Sequence, residues 1–201
     1  MPDEPKTWLV AGLGNPGPEY ELTPHNLGFL VVDRLAVRNG VRITRPESQA
    51  LTGLGKVGGS PVILAKPQTF MNRSGASVRD LLVRYELSAA NLILVYDELA
   101  LDWNSLRIRP KGSSAGHNGV KSVIGSLGSE EFARVRVGIR PEHALSGNAD
   151  FVLAPLRRAQ MLELDALLDT VCQAVESIIA EGVEKSMATY NRRAQGSKEE
   201  E

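Results

Sequence analysis

The sequence predicts an α/β protein, a single three-layer αβα domain with a mixed, mostly parallel central sheet. Short apolar segments typical of buried strands alternate with segments whose apolar residues recur at helical spacing. No internal repeat or linker divides the 201 residues, a length that suits one domain. We therefore expect one domain over residues 1–193 and a polar, flexible tail over residues 194–201.

The predicted strands are short apolar or alternating segments bounded by turn residues. Gly58-Gly59 separates two of them and predicts a hairpin, and an aspartate ends the one that reads LILVYD. In chain order, the predicted strands cover residues 8–12, 51–57, 61–66, 92–97, 106–109, 132–139 and 151–153.

The predicted helices have apolar residues three and four positions apart. Gly40 and Gly182 follow the first and the last of them, and glycine commonly ends a helix at this position. In chain order, the predicted helices cover residues 27–39, 72–87, 118–127 and 159–181.

Composition limits the class of protein. The formal net charge is −1, so any nucleic-acid binding must depend on local basic patches rather than on a basic chain. The one cysteine, Cys172, excludes internal disulfides and cysteine-based metal clusters. No apolar leader or segment of membrane-spanning length is present, which predicts a cytoplasmic protein. The spacing of histidines and carboxylates suggests no metal site.

Two glycine motifs match known sequence fingerprints, but the predicted elements around them do not fit those fingerprints. Residues 12–17, GLGNPG, match the dinucleotide-binding pattern, but the helical pattern that should start at the glycines begins about ten residues later. Residues 112–116, GSSAG, match the nucleophile elbow of serine esterases, but Pro110 interrupts the strand that should lead into the serine. A loop is the favoured interpretation, and a nucleophilic Ser114 is an alternative.

His25 is the strongest candidate for proton transfer, because the chain has only three histidines. It follows the first strand and opens the first helix, where sites of α/β proteins gather. Asp97 ends a buried strand and should lie at the rim of the sheet. If Asp97 accepts a hydrogen bond from one ring nitrogen of His25, the other nitrogen is the basic one. Helix-start and turn-forming roles are the alternatives, and Glu98 should point the other way.

Three asparagines precede or follow the predicted elements and could form a polar rim with His25. Asn72 and Asn118 each precede a helix, so helix capping is an alternative function for both. Asn15 suits an Asn-Pro-Gly turn. An amide supplies both a donor and an acceptor, which favours activation of water or binding of a polar ester.

Basic residues recur at every second position in two predicted strands. Arg107, Arg109 and Lys111 form one stripe, and Arg134 and Arg136 form the other. Alternate residues of a strand share one face. The stripes are either a solvated sheet face or a surface that neutralises phosphates.

Six segments in this order resemble those of the bacterial peptidyl-tRNA hydrolase family, and the resemblance spans nearly the whole chain. They are residues 12–26, residues 66–75 (KPQTFMNRSG), the strand ending at Asp97, residues 116–119 (GHNG), residues 134–139 (RVRVGI) and residues 151–153 (FVL).

The resemblance implies a monomeric αβα enzyme without metal or organic cofactor that cleaves the ester between a peptide and the 3′ ribose of tRNA. His25 would be the base that activates water, oriented by Asp97. The resemblance implies that the peptidyl backbone and the water are held by Asn15, Asn72 and Asn118. It places Tyr20, Met71 and His117 in the surrounding wall of the site. It also implies that the tRNA 5′ phosphate is bound by Arg107 and Arg136.

The chain departs from the family pattern without losing a catalytic group. Pro24 stands where the family usually has arginine, and it should restrict Thr23 to extended backbone. PKGSSA precedes GHNG where glycines are common, and Asp97-Glu98 replaces the usual pair of aspartates. An RNA-binding homologue without hydrolase activity is the alternative function.

Overall fold

The computed structural model describes residues 5–140 and 148–196. These residues contain seven strands: β1 (Trp8–Gly12), β2 (Arg45–Glu47), β3 (Ala50–Val57), β4 (Ser60–Pro67), β5 (Leu92–Asp102), β6 (Leu106–Arg109) and β7 (Ala133–Arg140). They form one sheet in the order β2-β3-β4-β1-β5-β7-β6.

The sheet is parallel at its centre and antiparallel at both edges. The pairs β4 with β1, β1 with β5, and β5 with β7 are parallel, whereas the pairs β2 with β3, β3 with β4, and β6 with β7 are antiparallel. The α/β class and the mixed sheet are confirmed, although parallel pairing prevails only in the centre. Gly58-Gly59 forms the predicted hairpin turn, with φ of 57° and 87° that glycine adopts without steric cost.

Helices cover both faces of the sheet, which gives the three predicted layers. One face packs against α1 (Leu27–Arg38), α5 (Arg158–Glu181) and α6 (Val183–Gly196), and the other packs against α2 (Ser74–Arg84) and α3 (Asn118–Leu127). Gly182 ends α5 as predicted, with its N–H on the carbonyl of Ile178. Within the described part of the chain, no helix has the length and apolarity needed to cross a membrane.

The structure departs from the predicted elements near the C-terminal end of the chain. Residues 151–153 belong to a short helix, α4 (Asn148–Leu153), rather than to a strand. Three apolar residues are too few for their periodicity to distinguish a strand from a helix. In addition, the backbone N–H and carbonyl of Ile108 in the edge strand β6 are bonded to the side chain of Asn191, so they are not available to a further strand. Asn191 lies on α6, which the sequence analysis missed. This helix reaches Gly196, three residues into the predicted tail at 194–201, and residues 197–201 lie outside the described residues.

Close packing of two glycines brings the start of α1 against the centre of the sheet. A Cβ on Gly28 would lie 2.5 Å from the carbonyl oxygen of Val95 in β5, a distance that no real side chain tolerates. Gly12, at the end of β1, faces Gly28 just as closely. The backbone of the residues before α1 therefore lies directly beside β5, where Asp97 is located.

Candidate active site

The turn between β1 and α1 is closed by two hydrogen bonds with the side chain of Asn26, a residue not predicted to have a role in the site. The side chain of Asn26 accepts a hydrogen bond from the Asn15 N–H at 2.8 Å and donates to the Asn15 carbonyl at 2.9 Å. Asn26 is buried, so both bonds form away from water. The closed turn presents the adjacent His25 toward β5.

Pro24 shapes the backbone immediately before His25. Thr23 has φ −113° and ψ 155°, the extended conformation expected before proline. Pro24 starts a single 3₁₀ turn that contains His25 and leads into α1. The missing N–H of proline costs nothing there, because the first N–H groups of a helix have no internal partner.

His25 and Asp97 form the hydrogen bond that the sequence predicts. Nδ1 of His25 lies 2.9 Å from each carboxylate oxygen of Asp97. The side chain of Asp97 is 3% exposed and that of His25 is 12% exposed. Among the described residues, Nε2 of His25 has no hydrogen-bond partner, so this nitrogen is available to a substrate or a water.

Strand β5 extends five residues beyond the predicted end at Asp97. Its pairing with β1 nevertheless ends at Val95, and its register with β7 changes after Glu98. Asp97 therefore lies just past the end of β1, at the rim of the parallel sheet, as the sequence analysis expected. Glu98 points to the opposite face of the strand.

A second histidine contacts the same carboxylate. Nε2 of His117 lies 3.0 Å from Oδ1 of Asp97, and the ring centroids of His25 and His117 are 5.0 Å apart. Burial alone would raise the pKa of Asp97, but the interactions with His117 and His25 outweigh burial and hold this pKa well below its usual range. Asp97 is therefore a carboxylate throughout the neutral pH range.

A cleft of about 310 Å³ opens above these three side chains. Its lining includes Asn118 at the start of α3 and Val152 on α4. The lining of the cleft thus combines polar groups, among them the two histidines and an amide, with apolar side chains. Such a combination suits a substrate that carries both a carbonyl group and a hydrocarbon chain.

Neither Asn72 nor Asn118 caps a helix, so the structural alternative for both residues was wrong. The cap of α3 is His117, whose side chain accepts hydrogen bonds from the next residues. The residue before α2 is Arg73, and it makes no capping bond through its side chain. Both asparagines are exposed, and their amides make no hydrogen bond within the described residues.

Asn15 and two predicted wall residues, Met71 and Tyr20, do not line the cleft. Asn15 is buried, and its amide oxygen accepts a hydrogen bond from the N–H of Met71 at 2.8 Å. Met71 is buried as well, so these two residues support the site from behind. Tyr20 lies in the turn before Thr23, to which its carbonyl is bonded, and it is not among the residues that line the cleft.

Four arginines of the basic stripes face one another across β6 and β7. Arg107 lies opposite Arg136, and Arg109 lies opposite Arg134. A second cavity, of about 210 Å³, is lined by Arg109, Arg134 and Arg136 together with Lys111, and it shares Ala115 with the cleft. The arginines thus form a basic surface beside the cleft.

The arginines of this surface differ in their partners. Arg136 donates from Nε and Nη2 to one oxygen of Glu98, at 2.9 and 2.7 Å. Arg134 is buried, donates to the carbonyls of Ser113 and Glu130, and lies over the ring of Phe132. Its Nε and that of Arg107 are buried and have no hydrogen-bond partner in the part of the chain that the structure describes. Arg109 and Arg134 were not assigned a site role from the sequence, although both belong to the stripes.

The two fingerprint motifs occupy the loops that the sequence analysis expected. Helix α1 starts at Leu27, long after the glycines of residues 12–17. Ser114 lies in the loop between β6 and α3. His117, the histidine nearest to it in sequence, has its ring nitrogens occupied by Asp97 and by backbone N–H groups, so it has no free nitrogen for activating Ser114.

The three side chains at the base of the cleft could also approach a metal ion. One ligand atom from each of His25, Asp97 and His117 lies within 4.8 Å of the others. In the arrangement described, both histidines instead direct a ring nitrogen at the carboxylate. A metal ion would have to replace both hydrogen bonds.

Comparison with known proteins agrees with this geometry. The sequence model of the peptidyl-tRNA hydrolase family matches residues 9–199. A peptidyl-tRNA hydrolase of Solibacter usitatus (strain Ellin6076) is 56% identical over 96% of this chain and 99% of its own length. That of Koribacter versatilis (strain Ellin345) is 47% identical over 92% of each chain.

A solved structure leads to the same assignment. The crystal structure of peptidyl-tRNA hydrolase from Acinetobacter baumannii matches with a TM-score of 0.86 and 29% identity, over 95% of this chain and 97% of that one. Each of these relatives is described as an enzyme, which does not favour the RNA-binding alternative without hydrolase activity. The chain belongs to the peptidyl-tRNA hydrolase family.

Proposed function

We propose that this chain hydrolyses the ester bond between an N-blocked peptide and the 3′ ribose of tRNA, which frees tRNA from prematurely released peptidyl-tRNA. The observation that carries the proposal is the buried His25–Asp97 pair at the base of a cleft whose rim bears a free amide. Membership in the family supports the choice of substrate. We propose that the enzyme acts as a monomer in the cytoplasm, where translation supplies this substrate.

His25 acts as the general base. The N–H at Nδ1 of His25 donates a hydrogen bond to Asp97, which leaves the lone pair of Nε2 directed toward the cleft. A water between Nε2 and the ester carbon loses its proton to His25 as it attacks, and the same proton then protonates the departing ribose oxygen. General-base assistance of this kind contributes on the order of 10²- to 10⁴-fold to the rate.

An asparagine amide stabilises the charge that develops on the carbonyl oxygen. Asn118 lines the cleft beside His25, and Asn72 follows Met71, whose N–H is held by Asn15. Within residues 5–140 and 148–196, neither amide group has a hydrogen-bond partner that it would have to give up. One donor to an oxyanion contributes roughly 3 kcal/mol, so an activated ester needs no covalent nucleophile.

The basic surface binds tRNA phosphate. Arg107 and Arg136 carry this role, and the neighbouring Arg109 extends the surface toward the cleft. This local patch compensates for the net charge of −1, because phosphate binding depends on the local density of arginine. Phosphate must compete with Glu98 for Arg136.

A comparison of two substrates tests the function. The purified chain should release the acyl group from N-acetylaminoacyl-tRNA and leave aminoacyl-tRNA with a free amino group largely intact. Labelled acyl groups that are still attached to tRNA precipitate with acid, so hydrolysis is measured as loss of label from the precipitate. Equal hydrolysis of both substrates would refute a peptidyl-tRNA specificity, and loss of activity after treatment with a serine-directed phosphonate would favour Ser114 instead.

Replacing Arg107 and Arg136 together by alanine should weaken tRNA binding and flatten its salt dependence. Each lost phosphate contact should reduce the slope of log K against log salt by about 1. The control is the double variant Arg34→Ala with Arg38→Ala, which also removes two positive charges, but from the opposite face of the sheet. There, on α1, both arginines pair with carboxylates of α5. An unchanged slope in the double variant of Arg107 and Arg136 would place the phosphates elsewhere. An equal reduction in both double variants would refute a specific role of these two arginines.

A further inference from the structure

We propose that His117 is a positioning residue that fixes Asp97, and through Asp97 the orientation of His25. It acts on the reacting atoms only through the carboxylate. The proposal rests on the proposed function, because it assigns His117 a part in the same hydrolysis.

The backbone determines which nitrogen of His117 carries the proton. The N–H groups of Gly119 and Val120 point at Nδ1 of His117, at 3.1 and 3.2 Å. A backbone N–H can only donate, so Nδ1 must present its lone pair. The proton of the neutral ring is then on Nε2, and Nε2 donates it to Oδ1 of Asp97 at 3.0 Å.

His25 alone does not fix the carboxylate. Its Nδ1 is 2.9 Å from both oxygens of Asp97, so this bond is shared between the two oxygens and distinguishes neither. The bond from His117 reaches only Oδ1. Because His117 binds one oxygen from a different direction, it opposes rotation of the carboxylate and keeps both oxygens in front of His25.

The start of α3 is in turn rigidly placed, so it can serve as an anchor. A Cβ on Gly119 would lie 2.5 Å from Sδ of Met71 and 2.8 Å from a methyl carbon of Leu13. This close packing leaves no room for the helix end to shift toward the sheet. His117 is 9% exposed. One side chain thus links the helix that carries Asn118 to the pair formed by His25 and Asp97.

Two substitutions separate the capping bonds from the bond to Asp97. In His117→Asn, the amide oxygen takes the place of Nδ1 and can still cap α3, but no donor reaches Asp97. In His117→Gln, the terminal NH₂ takes the place of Nε2 and reaches Asp97, but the capping acceptor is lost.

Kinetics of the two variants test the positioning role. His117→Asn should melt somewhat earlier than the parent chain, because the buried carboxylate of Asp97 loses a donor. At a temperature where it is folded, it should lose about 10- to 100-fold in kcat on N-acetylaminoacyl-tRNA, the range expected for a hydrogen bond to a charged group. Its KM should change by less than about threefold. His117→Gln should melt earlier and yet recover most of the lost kcat. Parent-like kcat in His117→Asn, or no recovery in His117→Gln at a temperature where it is folded, would overturn the proposal.

The protonation states can be read without any activity. In long-range ¹H–¹⁵N spectra at neutral pH, His117 should show a protonated Nε2 and a bare Nδ1, and His25 should show the opposite pattern. The variant His143→Gln identifies the third histidine signal. A protonated Nδ1 on His117 would overturn the proposal even if hydrolysis is observed, whereas the expected pattern in a chain that fails to hydrolyse N-acetylaminoacyl-tRNA would refute only the proposed function.

Discussion

Replacing His25 by alanine is expected to lower kcat/KM for N-acetylaminoacyl-tRNA by roughly 10²- to 10⁴-fold, the contribution of a general base. The physical reason is that Nε2 of His25 is the unpartnered basic nitrogen at the base of the cleft. Among the described residues, the other histidine there, His117, has both ring nitrogens engaged. Initial rates with labelled substrate measure the effect.

The fold should tolerate this change. His25 lies in a 3₁₀ turn whose shape depends on Pro24 and Asn26, and within the described part of the chain its side chain bonds only to Asp97. Far-ultraviolet circular dichroism and tRNA affinity should therefore match those of the parent chain. Retention of most of the parent activity would show that His25 is not the base.

Replacing Asp97 by asparagine is expected to reduce kcat by up to about 10⁴-fold, the loss typical when the acid behind a catalytic histidine becomes an amide. Two ring N–H groups converge on this carboxylate. An amide has one oxygen and one NH₂ group, so its NH₂ must face one of the two donors. If that donor is His25, the ring takes the other tautomer and Nε2 can no longer accept a proton.

The same variant should change stability in a pH-dependent way. The pKa of Asp97 is lowered in the folded chain, so its ionised form stabilises the fold above the ordinary carboxyl pKa of about 4. This stabilisation declines as the pH falls below that value. The melting temperature of Asp97→Asn should therefore lie below that of the parent at pH 7, and the difference should shrink near pH 3. A difference that is constant over this range would indicate that the charge of Asp97 contributes nothing.

The fold and the central pair were predictable because they depend on local patterns and on general rules of topology. An acid at the end of an apolar strand and a histidine after the first strand meet when both strands are parallel and adjacent, as β1 and β5 are. The two glycines at the end of β1 and in α1 strengthen this placement. The hairpin at Gly58-Gly59 and the end of α5 at Gly182 follow from single residues of known preference.

The contacts that the sequence did not predict depend on pairings between distant residues. Asparagine is a far more common helix cap than histidine, so the sequence favoured Asn118 over His117 as the cap of α3. The bond between Arg136 and Glu98 requires that β5 and β7 be neighbours in a particular register. Residues 151–153 are too few for their periodicity to distinguish a strand from a helix.

A double-mutant cycle in single turnovers tests the central claim, that His25 and Asp97 act as one unit on a water. Enzyme in excess over N-acetylaminoacyl-tRNA isolates bond cleavage from binding and product release. If Asp97 acts only through His25, the variant that combines His25→Ala with Asp97→Asn should cleave no more slowly than His25→Ala alone. If the cleavage rate of the double variant is instead lowered by the product of the two single-variant factors, the central claim is contradicted. That result would mean that Asp97 contributes to cleavage independently of His25.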